Sequence, residues 1–367
     1  MSATVDLPAA ATSVPVPEAP RDLPNLDFMR AVAVLLVVAD HVLETAGAMV
    51  GRSFSPFDFY LGRLGVLMFF VHTSLVLMLS MDRSRARGSS FFTTFYLRRA
   101  FRIYPLSILC VLLVLAVGAP PVAWTHDPTP VFSPFEIARN LLLVQNLVRV
   151  KLVLSPLWSL PLELQMYLVL PILYVLLRTA LPVRRAWLLW GLAVVAGLLQ
   201  PHIPGASRLN VAAFGPCFMA GVLAYTLLPR TAPRWPAAAW AVLLAGVTAA
   251  YITIASFAPE VHPPWLGWLY CLAIGVAIPR FVQFAHAGLR GASHAIAKYS
   301  YGVYLFHMLA LWIGLGPTSP WPLGPVAGSL ATLAVLVLAP VASYHLVEEP
   351  MIRVGTGLAR RMTPRPA

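Results

Sequence analysis

Apolar stretches of roughly 17–22 residues recur along this chain, and each is about the length a helix needs to cross a hydrocarbon core some 30 Å thick. They fall near residues 28–46, 62–80, 101–118, 159–177, 186–200, 209–228, 236–255, 266–284, 300–316 and 325–346. A soluble domain carries roughly 25% charged residues, whereas this chain has 11% charged and 59% hydrophobic side chains. Inside lipid every backbone polar group must be satisfied within the protein, which favours helices. The expected fold is all-α: a polytopic membrane protein with about ten transmembrane helices.

A net charge of +12 would suggest a nucleic-acid partner in a soluble protein. In a membrane protein the position of the cations matters instead, because Lys and Arg concentrate in cytoplasmic loops. With the N-terminus placed inside, 20 of the 26 Lys and Arg residues fall on cytoplasmic segments. The other six are Arg52, Arg63, Arg139, Arg149, Lys151 and Arg208. Both termini are therefore expected in the cytoplasm, with membrane lipids as surroundings and no nucleic acid as partner.

Residues 1–24 are rich in Ala, Pro, Thr and Val, lack the basic start and apolar core of a secretory signal, and are expected to be a disordered cytoplasmic tail. Residues 25–352 form the expected membrane domain and 353–367 a basic cytoplasmic tail. Cys110, Cys217 and Cys271 lie inside apolar spans without metal-ligand spacing, so they are expected as buried small side chains and no metal site is expected. The longest connection, about 119–158, is Pro-rich and carries Trp124, His126, Asp127 and Glu136. Within it, 136–148 is apolar but too short to span, which fits an interfacial or re-entrant helix. The whole loop is a candidate acceptor-side lid as much as an ordinary connection.

Ionisable groups inside a bilayer are costly and mark functional sites. The first span holds Arg30, Asp40, His41 and Glu44. Eleven positions at about 100° each return His41 to within roughly 20° of the face of Arg30, about 16 Å further along the axis. Glu44 follows one turn on, on nearly the same face, while Asp40 points away. Arg30 alone also fits a positive-inside anchor, and His41 alone a hydrogen-bonded core histidine. Together they suit a donor with an anionic head at the cytoplasmic mouth and a reactive end at depth.

The segment LDFMRAVAVLLVVADH (26–41) resembles the arginine–ten residues–histidine signature of the acyltransferase-3 family of integral membrane acyltransferases. Further similar motifs follow in the family's order: GRLGVLMFFVHTS (62–74), FYLRRAFRIYP (95–105), SPLWSLPLELQMYLVLP (155–171), YSYGVYLFH (299–307) and SYHLVEEP (343–350). The resemblance implies transfer of an acetyl or other acyl group from an acyl-CoA donor to a glycan or lipid-linked sugar, in the inner membrane of a bacterial cell. No permanently bound cofactor is implied.

Carried over by position, His41 and Glu163 become the catalytic pair, with Glu163 orienting the imidazole. Arg30, Arg99 and Arg102 become the donor-binding cations. Tyr167, His307 and Glu348 match accessory positions, Glu348 mainly as a structural partner for an arginine. His72, in FFVHTS, stands where the family commonly has a Ser-Gly pair; it pairs with His41, shapes the acyl pocket or is a satisfied core residue. His41 acts either as base on the acceptor hydroxyl or as the acyl carrier itself. The rival class is a transporter or flippase for a glycan or lipid-linked substrate, since intramembrane His and Arg also mark transport pathways.

Overall fold

The computed structural model describes residues 23–51, 58–84, 89–126, 130–205, 208–257 and 264–362. The expected N-terminal tail lies, through residue 22, outside these residues, as does Asp127 of the long loop. Among the described residues the secondary structure is helical apart from one isolated bridge between Trp235 and Phe281.

The helices are α1 (Pro24–Met49), α2 (Asp58–Asp82), α3 (Ser89–Val117), α4 (Pro134–Leu141), α5 (Gln145–Val148), α6 (Leu160–Leu177) and α7 (Pro182–Leu199). They continue as α8 (Asn210–Leu227), α9 (Ala237–Ser256), α10 (Pro264–Ala277), α11 (Ala287–Leu315), α12 (Pro325–Ser343) and α13 (Glu349–Met362). Each apolar stretch read from the sequence falls on one of them. Among the described residues, seven helical segments are long and apolar enough to cross a membrane, built on α2, α3, α6, α7, α8, α9 and α12–α13. The remaining three stretches fall on α1 and α11, which carry ionisable residues, and on α10, which is 14 residues long.

The packing follows from which helices keep apolar side chains outward. In α2, 83% of the apolar window is buried, against 11% in α7. The outward Leu188, Leu192 and Leu198 of α7 and Leu333 and Leu338 of α12 are large exposed hydrophobics. Such continuous apolar faces are a liability in water and suit lipid. The buried α2 is gripped from two sides by glycine contacts. A Cβ on Gly65 would collide with the Ala33 carbonyl of α1, and one on Gly221 of α8 with the Val71 carbonyl. Small residues let membrane helices approach this closely, where dispersion and helix–helix packing replace the hydrophobic drive.

Much of the long loop is folded among its described residues. Ser133 and Glu136 form a capping box that opens α4, and a left-handed Leu143 (φ 55°) separates α4 from α5. The apolar stretch 136–148, expected as one element, is thus two short helices. The buried Asn140 ties them down, donating to the carbonyls of Glu136 and Lys151 (2.9 Å each) and accepting from the Val153 amide at 3.1 Å.

The last apolar helix does not stop near 346. A π turn over Tyr344–Glu348 leads into α13, whose Gly355 meets Phe101 of α3. Residues 353–362, expected as the start of a tail, are therefore a helix packed on the domain.

Candidate active site

His41 lies on α1, with Nδ1 2.6 Å from Glu44 Oε2. The i, i+3 spacing puts both groups on one helix face, and Glu44 is buried. A carboxylate there accepts the Nδ1 proton and leaves Nε2 with a lone pair, the arrangement that makes an imidazole a positioned base. Two rings stack on it: Trp124 of the long loop at 5.5 Å between centroids and His307 of α11 at 5.1 Å. His307 is fully buried, and its Nδ1 donates to the Tyr304 carbonyl at 2.8 Å. A carbonyl only accepts, so Nδ1 carries the proton. Its Nε2 is buried without a hydrogen-bond partner. Tyr304 in turn donates to the Pro156 carbonyl at 2.8 Å and meets the Ser159 hydroxyl at 2.7 Å, which anchors α11 to the start of α6.

The second half of the site gathers the cations. Arg30 Nε donates to Ser300 Oγ of α11 at 2.6 Å, and the guanidinium sits over the Phe69 ring. Arg102 reaches buried Glu348 at 3.9 Å, the arginine partner expected for that carboxylate. Arg102, Glu163, Glu348 and Tyr167 all lie within electrostatic reach of Arg30. Arg99 feels Arg102, Tyr167, Arg98 and Glu163. Arg30 and His41 thus meet the same partner helix: Ser300 and His307, seven residues apart, lie about 10 Å apart along α11. The single stripe read from α1 is a shared α1–α11 seam.

Three expectations change. The carboxylate hydrogen-bonded to His41 is Glu44, while Glu163 accepts from Thr73 Oγ1 at 2.8 Å in the neighbourhood of the arginines. The reason is local: Glu44 follows His41 by one turn, whereas Glu163 comes from α6 and meets α2 first. The ring beside His41 is His307, whereas His72 is buried in α2 within reach of Arg30 and Arg102. Asp40, expected to point away, is buried against Gly62, yet brings a carboxylate oxygen to within 4.8 Å of a His41 ring nitrogen and a Glu44 oxygen.

Asp40, His41 and Glu44 bring one donor atom each to within 4.8 Å of one another, a spacing that a cation could bridge. The 2.6 Å contact of His41 with Glu44 is a hydrogen bond, so the nitrogen facing that carboxylate holds a proton in this arrangement. Residues that the sequence reasoning left without a role are Glu44, Trp124 and Thr73. Glu44 was legible one turn beyond His41. Trp124 was not, because no pattern in a loop says which ring will fold back onto an imidazole.

An imidazole held by a carboxylate, joined along one helix seam to half-buried arginines inside an apolar bundle, defines a membrane-embedded group-transfer enzyme. The chain belongs to the acyltransferase-3 family: the family profile described as an acyltransferase domain matches residues 23–344. It is 28% identical to "Acyltransferase MdmB" of Streptomyces mycarofaciens over 377 residues, covering 90% of this chain and 92% of that protein. It is 26% identical to "Nodulation protein 10" of Rhizobium leguminosarum bv. viciae over 380 residues, covering 92% and 96%. No solved structure matches it.

Proposed function

We propose that this acyltransferase moves an acetyl or other short acyl group from a cytoplasmic acyl-CoA to a hydroxyl of an extracytoplasmic or lipid-linked glycan. It does so in a bacterial inner membrane, with about ten spans and both termini inside. The observation that carries this reading is the α1–α11 seam, which joins Arg30 on Ser300 to His41 beside His307. Arg30, Arg99 and Arg102 hold donor phosphates, for which planar guanidinium forks are well shaped. The thioester then extends along the seam towards His41.

At His41 two routes balance. In the first, Nε2 takes the acceptor hydroxyl proton as the oxygen attacks the thioester carbonyl. A C–O bond forms, the C–S bond breaks, and the imidazolium returns the proton to the leaving thiolate. In the second, Nε2 attacks the carbonyl, a C–N bond forms as the C–S bond breaks and coenzyme A leaves as thiolate. The acceptor oxygen then forms a C–O bond as the C–N bond breaks, and its proton passes through the freed imidazole to the thiolate. Glu44 supports the positive ring in both. Glu163 and Tyr167 order the arginines and the donor, and Glu348 holds Arg102. His72 lines the path between the two ends.

The test is coenzyme A release from acetyl-CoA by membranes containing the protein, with mass spectrometry of surface glycans from a deletion strain. Loss of acyl groups with glycan export unchanged supports the enzyme. Loss of glycan export with no thioester consumption supports a carrier and contradicts the proposal.

A further inference from the structure

Beside the arginine cluster lies a cavity of about 320 Å³ lined by Arg98, Arg99, Arg102, Ile352, Thr356 and Arg360. Half of its wall comes from α13, beyond the last apolar span. Ile352, Thr356 and Arg360 recur every four residues and so share one helix face. That face is held against α3 by Gly355, where an added Cβ would lie 2.6 Å from the Cβ of Phe101.

The cations round this cavity have too few anions of their own. Nε of Arg98 and Nε of Arg99 are buried without a hydrogen-bond partner. Among the described residues, none of Arg98, Arg99 and Arg360 pairs with a carboxylate within 4.0 Å. The nearest acid on α13, Glu349, is taken by Arg353 at 2.7 Å and His345 at 3.4 Å. Arg98 and Arg360 feel each other's charge. Positive-inside anchoring places cations at a membrane surface, but it does not call for four of them from two helices to face one cavity. A polyanion relieves that repulsion, and phosphate oxygens match the guanidinium fork.

We infer that α13 supplies a second anion-binding subsite of the donor pocket, where Arg98 and Arg360 hold a phosphate monoester apart from the pyrophosphate at Arg99 and Arg102. The inference rests on the acyl-CoA reading above, because coenzyme A carries one such monoester besides its pyrophosphate. Thr356 adds a hydroxyl donor at this subsite, and Ile352 an apolar wall. A phosphatidic acid headgroup offers the same monoester chemistry from the lipid side.

The experiment titrates the full-length protein, in phosphatidylcholine nanodiscs, with coenzyme A and with 3′-dephospho-coenzyme A. Wild type binds coenzyme A tighter by ~10-fold or more, the worth of a charge-assisted contact. Arg360→Ala and Arg98→Ala erase that difference by weakening coenzyme A alone, with an unchanged thermal midpoint, while Arg99→Ala weakens both ligands. Equal binding of the two ligands by wild type, or an equal loss of both in Arg360→Ala, overturns the assignment. If wild type binds neither, the donor reading falls and this inference with it. If phosphatidic acid raises the thermal midpoint of wild type but not of Arg360→Ala, while coenzyme A binding is unaffected by the substitution, the subsite belongs to lipid and the assignment is overturned.

Discussion

The imidazoles of His41 and His307 lie ring on ring, with centroids 5.1 Å apart and planes 12° apart, although they come from α1 and α11 at opposite ends of the chain. Glu44 fixes the first ring through Nδ1, and the Tyr304 carbonyl fixes the second through its own Nδ1. Each ring is thereby left with Nε2 as its free lone pair. The proposed reaction uses the Nε2 of His41, with the His307 ring stacked on it.

Glu44→Gln keeps the size of the side chain but removes its charge and lets the amide favour the wrong imidazole tautomer. The loss of kcat is expected to be about 10²–10⁴-fold, the range of general acid–base contributions and of carboxylate–histidine pairs elsewhere. Glu163→Gln is expected to act mainly on the KM for the donor, because its carboxylate sits among the arginines. Steady-state kinetics on membranes separates the two. A larger kcat defect in Glu163→Gln would return the orienting role to that residue.

His307→Phe preserves a stacked ring but deletes the buried nitrogen. We expect kcat to fall about tenfold or more, the lower end of acid–base contributions, with the thermal midpoint in detergent little changed. Full activity in His307→Phe would reduce His307 to a packing surface for His41.

The close approach of α2 to its neighbours is testable through stability alone. Gly65→Val forces a branched side chain into the Ala33 carbonyl, and Gly221→Val forces one into the Val71 carbonyl. Overpacking of this kind costs about 1–3 kcal/mol, and more where backbone must move. Size-exclusion thermal stability is expected to drop in both. Gly246→Val on α9 is the control, because a Cβ there meets nothing within 4 Å.

Helices were legible in the sequence because the apolar runs are long and the bilayer permits little else. The Arg30–His41 stripe was legible because helical periodicity alone sets its angle. Pairings between distant segments were not. Nothing in the spacing of α6 says that Glu163 meets Thr73 before it meets an imidazole. Nothing in α2 says that His72 faces the arginines while His307 faces His41. The continuation past residue 346 was hidden because a π turn keeps the chain helical where the apolar pattern ends. Arg360 therefore read as a tail residue although it lines a cavity.

The most direct test of the account is acyl transfer by His41→Ala, measured as coenzyme A release and acylated product in membranes with equal amounts of folded protein. The account predicts that transfer is lost to background while coenzyme A binding at the arginines persists, since Arg30, Arg99 and Arg102 are untouched. Transfer at the wild-type rate in His41→Ala would contradict it.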